Sequence, residues 1–242
     1  KKYPKIKIYL SKKNLGYGVA NNEIIKKSIT PFVFILSPDV ILSKNCEENL
    51  LKGAIKVKKN FAIASAIPDI KNYVFFSIKK RLCKHNLFEV DYVHGFSMLI
   101  DKKKIKRIGM FDKNFFLYNE EIDLCKRLRL ANQKVYIITD AKVNHLAAKS
   151  SNIGFEFDKC RNWHWMWSQV YFGKKYSNNF LIYLKYSMLL FLQLLKIIFY
   201  IFLFNKKESI NKWMRFSGTL NSLLGRSSWY RPKFNFINDQ EN

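Results

Sequence analysis

The chain has 242 residues, with 43 Lys and Arg against 18 Asp and Glu, for a formal net charge of +25. Hydrophobic residues make up 48% of it, with 21 Phe and 13 Tyr among them, which excludes a disordered chain and supplies enough apolar surface for a full core. The charge implies an anionic counterpart (nucleic acid, anionic lipid or a phosphorylated small molecule), but Lys dispersed along the chain does not choose among them.

Cys46, Cys83, Cys125 and Cys160 form no CxxC and no zinc-type Cys–His cluster. Free, mostly buried thiols in a reducing compartment are the simplest account. Residues 1–10 lack the apolar core of a signal peptide and enter on what reads as a strand over 6–10, as though preceding elements had been removed.

NLGYGVANN follows, where Gly16 and Gly18 permit a tight turn and Ile24, Ile25 and Ile29 have helical spacing over 20–29. A third glycine at dinucleotide-binding spacing is missing, so a Rossmann dinucleotide fingerprint is not supported. Residues 32–36, FVFIL, are a continuous apolar run of the kind buried on both faces of a sheet, and the run stops at Ser37-Pro38-Asp39. A carboxylate at the end of a buried strand is where open α/β sheets keep ligand sites; a turn Asp after Pro explains Asp39 equally well.

A helix is expected over 43–59 with Ser43 as its N-cap, a strand over 61–67, and a loop over 72–87. A strand over 96–100 leads to a short basic helix and a turn at Gly109. Residues 134–138 form a further strand, and Val143 and His145 lie on the last strand piece; a lone His is more often structural than a ligand. The alternation predicts an α/β architecture with a mainly parallel sheet.

The stretch FFLYNEEIDLCKR, residues 115–127, places Glu120, Glu121 and Asp123 in the first turn of a helix with one apolar side. There the free N–H groups and the helix dipole favour negative charge, and Asp123 and Arg127 form an i,i+4 pair. Ordinary helix chemistry explains the stretch; so does a positioned base, which needs partners from elsewhere in the chain.

From about residue 155 the character changes. Three Trp fall within five residues, and 180–204 is the most apolar stretch, long enough to cross a bilayer but interrupted by Lys185, Gln193 and Lys196. On a helical wheel Lys185, Lys196, Tyr200 and Gln193 fall at roughly 0, 20, 60 and 80°, a single narrow polar stripe. That suits a helix lying in a membrane interface, or one packing its stripe on the rest of the protein, better than an isolated span. The Lys, Arg and Trp residues after it fit an anionic leaflet.

In order and spacing, NLGYGVANN, ILSPDV, the run from His94 to Arg127 and DAKVNHLAAKSS resemble glycosyltransferase family 2, in particular its bacterial rhamnosyltransferase-like members that build O-antigen and other surface polysaccharides. The resemblance covers about residues 5–151 and lacks the family's amino-terminal strands. It implies a GT-A, Rossmann-like catalytic domain over 1–151 and a C-terminal helical, membrane-associated region over 152–242. It further implies transfer with inversion from a dTDP- or UDP-sugar to a lipid-linked oligosaccharide at the cytoplasmic face of the bacterial inner membrane, the chain being peripheral or monotopic, with Mg²⁺ or Mn²⁺ and without nucleic acid. Asp39 matches the metal motif and His145 a histidine near the metal or diphosphate. Glu121 stands where the family often has an Asp base, with Glu120 beside it. Asn14, Gly16, Gly18 and Asn22 would shape the donor pocket, Gly95 would admit the sugar, and Arg127 would balance the diphosphate charge. His94 has no clear counterpart and stays a candidate only. A basic nucleic-acid-binding protein, or a silent membrane-docked remnant, is the alternative.

Overall fold

The computed structural model of the chain describes residues 6–57, 61–68, 81–83, 86–146 and 154–231. Gly16, at φ 74°, turns the chain into α1 (Tyr17–Lys27). The apolar run then forms β1 (Phe32–Leu36), and a short turn at Ser37–Asp39 leads into β2 (Val40–Leu42). Next come α2 (Cys46–Lys56), β3 (Phe61–Pro68), β4 (Arg81–Cys83), β5 (Leu87–Val90) and β6 (Ser97–Asp101). The first part of the chain closes with α3 (Lys102–Arg107), α4 (Glu120–Leu130) and β7 (Lys134–His145).

The strands form one seven-stranded sheet in the order β1-β6-β3-β7-β5-β4, with β2 pairing on β7. The mixed α/β layer followed by a helical region is the architecture expected of a GT-A chain. The expectation of a mainly parallel sheet is corrected: among the described pairings only β3 with β7 is parallel. β6 inserts antiparallel between β1 and β3, and β5 and β2 both run antiparallel to β7. The strands nevertheless read as continuous apolar runs because both faces are covered. Met98 and Ile100 join Ile25, Leu124 and Leu128 of α1 and α4 on one side, while Leu99 joins Leu50 and Ala54 of α2 on the other.

Other boundaries move for local reasons. Residues 6–10 are exposed and pair with no strand among the described residues, so the amino-terminal strand is not formed here. The α2 N-cap is Asn45, in a left-handed conformation at φ 61°, and Ser43 only offers its carbonyl to the Cys46 N–H at 3.1 Å. The expected loop 72–87 contains β4 and the start of β5, while its residues 72–80, 84 and 85 lie outside the described residues. The two strand pieces expected at 134–138 and 143 are one 12-residue strand; its partner on β3 jumps from Ile138 to Lys142 between Ala66 and Ile67, an irregularity that interrupts the sequence pattern.

The C-terminal layer is α5 (Phe155–Tyr176), α6 (Asn179–Phe202) and α7 (Lys206–Leu223). α5 and α7 cross closely at Gly218, where any Cβ would meet the Trp163 carbonyl. α6 rests on them through Ile182, Tyr186, Gln193 and Ile197. The polar stripe therefore sits at the seam: Gln193 is buried, Tyr200 half-buried, and Lys185 and Lys196 flank them in solvent. The rest of the helix presents Phe180, Leu184, Met188, Phe191, Phe199 and Phe202 outward. Among the described residues α6 is the one helix long and apolar enough to cross a membrane.

Candidate active site

The acidic stretch enters α4 through two successive left-handed residues, Tyr118 at φ 70° and Asn119 at φ 68°. Left-handed φ is costly for a bulky side chain, and such strain is kept where surrounding contacts enforce it. Those contacts come from α5. Ser168 Oγ donates to the Leu117 carbonyl at 2.8 Å, Arg161 Nε donates to the Tyr118 hydroxyl at 2.9 Å, and the His164 ring packs on Phe116 at 4.7 Å.

This sharp entry presents two carboxylates side by side at the helix start. Glu120 is 4% exposed, and its Oε2 has no hydrogen-bond partner. Glu121 is half-buried. Burial raises the proton affinity of both; the charge of Glu121 raises Glu120 further, well above the ordinary carboxylate range, and Glu121 is pushed up to about 7. At neutral pH the pair therefore holds a proton on the buried Glu120 while Glu121 is poised to accept one, the behaviour of two interacting acids in a dry site.

On the strand side, β2 pairs with the end of β7 so that Val40 lies opposite His145. This register brings Asp39 Oδ2 to 3.4 Å from His145 Nε2, while the Asp39 carbonyl accepts from the Leu146 N–H at 2.9 Å. Asp39 is 9% exposed, and the His145 ring stacks on Phe96 at 4.7 Å, with His94 stacked on the other end of the same aromatic at 6.1 Å. Burial lowers the proton affinity of His94, as does His145. Among the described residues no group of three or more His, Cys, Asp or Glu converges. An oxygen and an imidazole donor this close suit a divalent cation whose other ligands are waters and substrate oxygens, so the pair fits the metal role.

Tyr17, which the sequence reading passed over, connects the two halves. Its hydroxyl donates to the Gly95 carbonyl at 2.5 Å, one residue from His94 and Phe96, and burial together with Glu121 and Glu120 raises its proton affinity. A chain of contacts thus links Glu120 and Glu121 through Tyr17 to Gly95, and His94 through Phe96 to His145 and Asp39.

The remaining predicted donor residues are placed differently. A Cβ on Gly16 would meet the Phe116 carbonyl at 2.3 Å, and Gly18 packs on Phe111 and Glu120, so both glycines seat α1 against the acidic stretch. Asn14 Oδ1 accepts from the Gly16 N–H, and Asn22 exchanges two hydrogen bonds with the backbone of Phe111. The space above Gly95 is filled by the Tyr17 ring rather than left for a sugar. Arg127 donates to Asp123, to the Ile108 carbonyl at 2.7 Å and to the Met110 carbonyl at 2.5 Å. Its guanidinium thereby ties α4 to the backbone at Ile108 and Met110.

No family model matches the chain. It is 30% identical over 139 residues to the low-salt glycan biosynthesis hexosyltransferase Agl10 of Haloferax volcanii, a match covering 49% of this chain and 45% of that protein. It is 24% identical over 196 residues to rhamnosyltransferase WbbL of Escherichia coli K12, covering 69% and 74%. A third relative, 23% identical over 189 residues with 62% of each chain covered, is the N-acetylglucosaminyl-diphospho-decaprenol L-rhamnosyltransferase of Mycobacterium tuberculosis. The relatives it matches are glycosyltransferases, two of them rhamnosyltransferases. It spans about half the length of Agl10 and about two thirds to three quarters of the other two.

The residues hardest to find from sequence are those that shape the acidic turn from a distance. Tyr17 carried a faint signal, an aromatic between two glycines. Arg161 and Ser168 carried none, since they lie 43 and 51 residues from the backbone they hold.

Proposed function

We propose that this glycosyltransferase moves a hexose, with rhamnose the first candidate, from a dTDP- or UDP-sugar to a lipid-linked oligosaccharide, and that it inverts the anomeric carbon. The observation that carries the reading is the buried Glu120/Glu121 pair, with one carboxylate near neutrality at the mouth of the site. In a single displacement the acceptor oxygen forms a bond to the anomeric carbon as the bond to the diphosphate oxygen breaks, and the acceptor proton passes to Glu121. Burial keeps the Glu121 carboxylate basic and Glu120 protonated beside it, while Tyr17 packs between this pair and the 94–96 loop. Asp39 and His145 would hold Mg²⁺ or Mn²⁺, which when bound supplies positive charge to the departing diphosphate; the imidazole in the set suits Mn²⁺ better.

The exposed apolar face of α6 supports work at a membrane surface, with the helix lying in the interface by its seam rather than crossing as an isolated span. The cytoplasmic face of the bacterial inner membrane, where nucleotide sugars are supplied, is the location that fits, and surface polysaccharide is the product class. Incubating the full-length protein with lipid-linked acceptors, dTDP- and UDP-sugars and either cation tests the reading. Transfer is expected, with its loss in Asp39→Ala and in Glu121→Gln; no transfer with any donor, or full activity in both variants, overturns it.

A further inference from the structure

Beside Tyr118 lies a polar cavity of about 270 Å³ lined by Tyr118, Asp158, Arg161, Asn162, Trp165 and Arg215. Its cations are arranged unlike the others in the C-terminal layer. Lys159 and Lys212 pair with Glu156 and Glu208, whereas among the described residues neither Arg161 nor Arg215 makes an ion pair. Each spends its Nε on a neutral partner, Arg161 on the Tyr118 hydroxyl and Arg215 on Asn162 Oδ1 at 2.7 Å. Those bonds tie both guanidinium groups beside the cavity, where Asp158 is the single carboxylate in the lining. A planar fork held in this way recognises phosphate oxygens in a bidentate manner. Trp165, 46% exposed and edge-on to Tyr118 at 5.2 Å, adds an aromatic wall of the kind on which a sugar ring or an isoprenoid rests.

A run of contacts leads from the cavity wall to the apolar end of α6. Asn162 bonds Asn211 of α7 at 3.3 Å, and Lys212 beside it sits over the Tyr200 ring of α6 at 5.6 Å. Just past Tyr200 come the exposed Ile201, Phe202, Leu203 and Phe204, with Phe204 95% exposed. Tyr118 in the cavity wall precedes Glu120 by two positions in the chain, so an anionic head in the cavity would sit beside the entry to α4.

We infer that the Tyr118–Arg161–Trp165–Arg215 cavity is the acceptor subsite, and that it takes the diphosphate head of a polyprenyl-linked acceptor whose isoprenoid chain runs along the α6 tip. The inference rests on the lipid-linked acceptor of the proposed function and adds the residues that would select it. Arg161 has a second consequence: a diphosphate drawn to its terminal nitrogens pulls on the same guanidinium that anchors Tyr118, so acceptor binding and the strained entry to α4 are mechanically joined.

The test uses farnesyl diphosphate as the probe and the full-length protein, with binding read from tryptophan fluorescence and checked by calorimetry. Saturable binding is expected, weakened at least about tenfold in Arg161→Gln and in Arg215→Gln and unchanged in Asp39→Ala. Trp165→Leu should lose most of the fluorescence change. Inorganic diphosphate should compete weakly and farnesol not at all. Unchanged affinity in both Arg variants overturns the subsite, as does equal weakening by Asp39→Ala, which would place the probe at the metal pair. Equal loss of binding to vesicles of phosphatidylglycerol in the Arg variants also overturns it, since the cations would then be reading lipid headgroups in general. Arg215→Lys, which keeps the charge without the fork, is the folded control: it should retain vesicle binding and still weaken the probe. Failed sugar transfer with intact, Arg-dependent probe binding would sink the proposed function and leave the subsite standing; the reverse pattern would do the opposite.

Discussion

Two buried acids three residues apart in α4 have opposite surroundings. Asp123, with no exposed surface, receives Arg127 Nε at 2.7 Å, Lys175 Nζ at 2.6 Å and the Tyr176 hydroxyl at 2.7 Å. Glu120, 4% exposed, has an oxygen with no partner and a second carboxylate as its neighbour. Burial is common to both, so burial does not mark the functional acid. Compensation does: two cations and a hydroxyl make Asp123 a fixed strut between α4 and α5, and their lack leaves the Glu120/Glu121 pair able to gain and lose a proton near neutrality.

The largest effect should come from removing the exchangeable site itself. Glu121→Gln is expected to lower transfer about 10²–10⁴-fold at pH 7 while leaving the fold intact, as measured by kcat/KM and circular dichroism. In the wild type, kcat/KM should fall as pH drops through about 7, because the base is then protonated. A pH profile flat from pH 5 to pH 8 would remove Glu121 from the mechanism.

Breaking the strut attacks the other half of the comparison. Asp123→Ala strands Lys175 and Arg127 without their carboxylate, and losing one member of a buried ion pair costs about 3–5 kcal/mol. Denaturant unfolding should report that loss, and Asp123→Asn, which keeps the shape, should lose less. If Asp123→Ala were as stable as the wild type and yet inactive, the roles of the acids would be exchanged.

The connection between the two halves of the site offers a smaller effect. Tyr17→Phe removes the hydroxyl bonded to Gly95 and should cost about 1 kcal/mol of stability. It should also lower kcat several-fold with little change in donor KM, since the ring still fills its place above Gly95. A change in donor KM alone would move Tyr17 from positioning the carboxylates to binding the donor.

Much of this contrast was written in the sequence, and the missing part has a physical reason. The i,i+4 spacing of Asp123 and Arg127 announced the strut, and the acidic first turn announced α4. Strand-end Asp39 and His145 were legible as candidates because sheet periodicity placed each near a terminus. Their 3.4 Å approach was not, because it depends on the antiparallel register of β2 on β7, which no local pattern encodes. Lys175, Tyr176 and Arg161 were invisible for the same reason: they act across 43 to 53 residues. The glycines and Asn22 were readable as special positions, and Gly16 makes the tight turn at φ 74°, but the contacts they serve were not readable. A residue that must be small or bonded looks the same in sequence whether it makes room for a sugar or, as here for Gly16, for the Phe116 carbonyl. In the polar stripe of α6, the structure buries Gln193 at the seam, half-buries Tyr200 and leaves Lys185 and Lys196 in solvent.

Glu120→Gln gives the smallest effect and the sharpest test of the difference between the two acids. A carboxyl whose proton affinity is raised by folding binds its proton more tightly in the native than in the unfolded chain. Its contribution to stability is therefore full below the ordinary Glu range and is lost as pH rises through the native value. Gln cannot ionise, so the variant should match the wild type at pH 4.5 and become the more stable of the two above neutrality. A gain of about 1 kcal/mol at pH 8, or about 2–4 °C in Tm for a chain of this size, is expected by thermal unfolding. Replacing Asp123 by its amide should instead destabilise, because it removes the carboxylate that Arg127, Lys175 and Tyr176 all reach. Because burial raises the proton affinity of Glu121 and Glu120 beside it is already neutral, the acid limb of the rate profile should stay near its place in Glu120→Gln. Should the limb move down towards an ordinary Glu, Glu120 carries charge in the working range and the two carboxylates titrate as one unit.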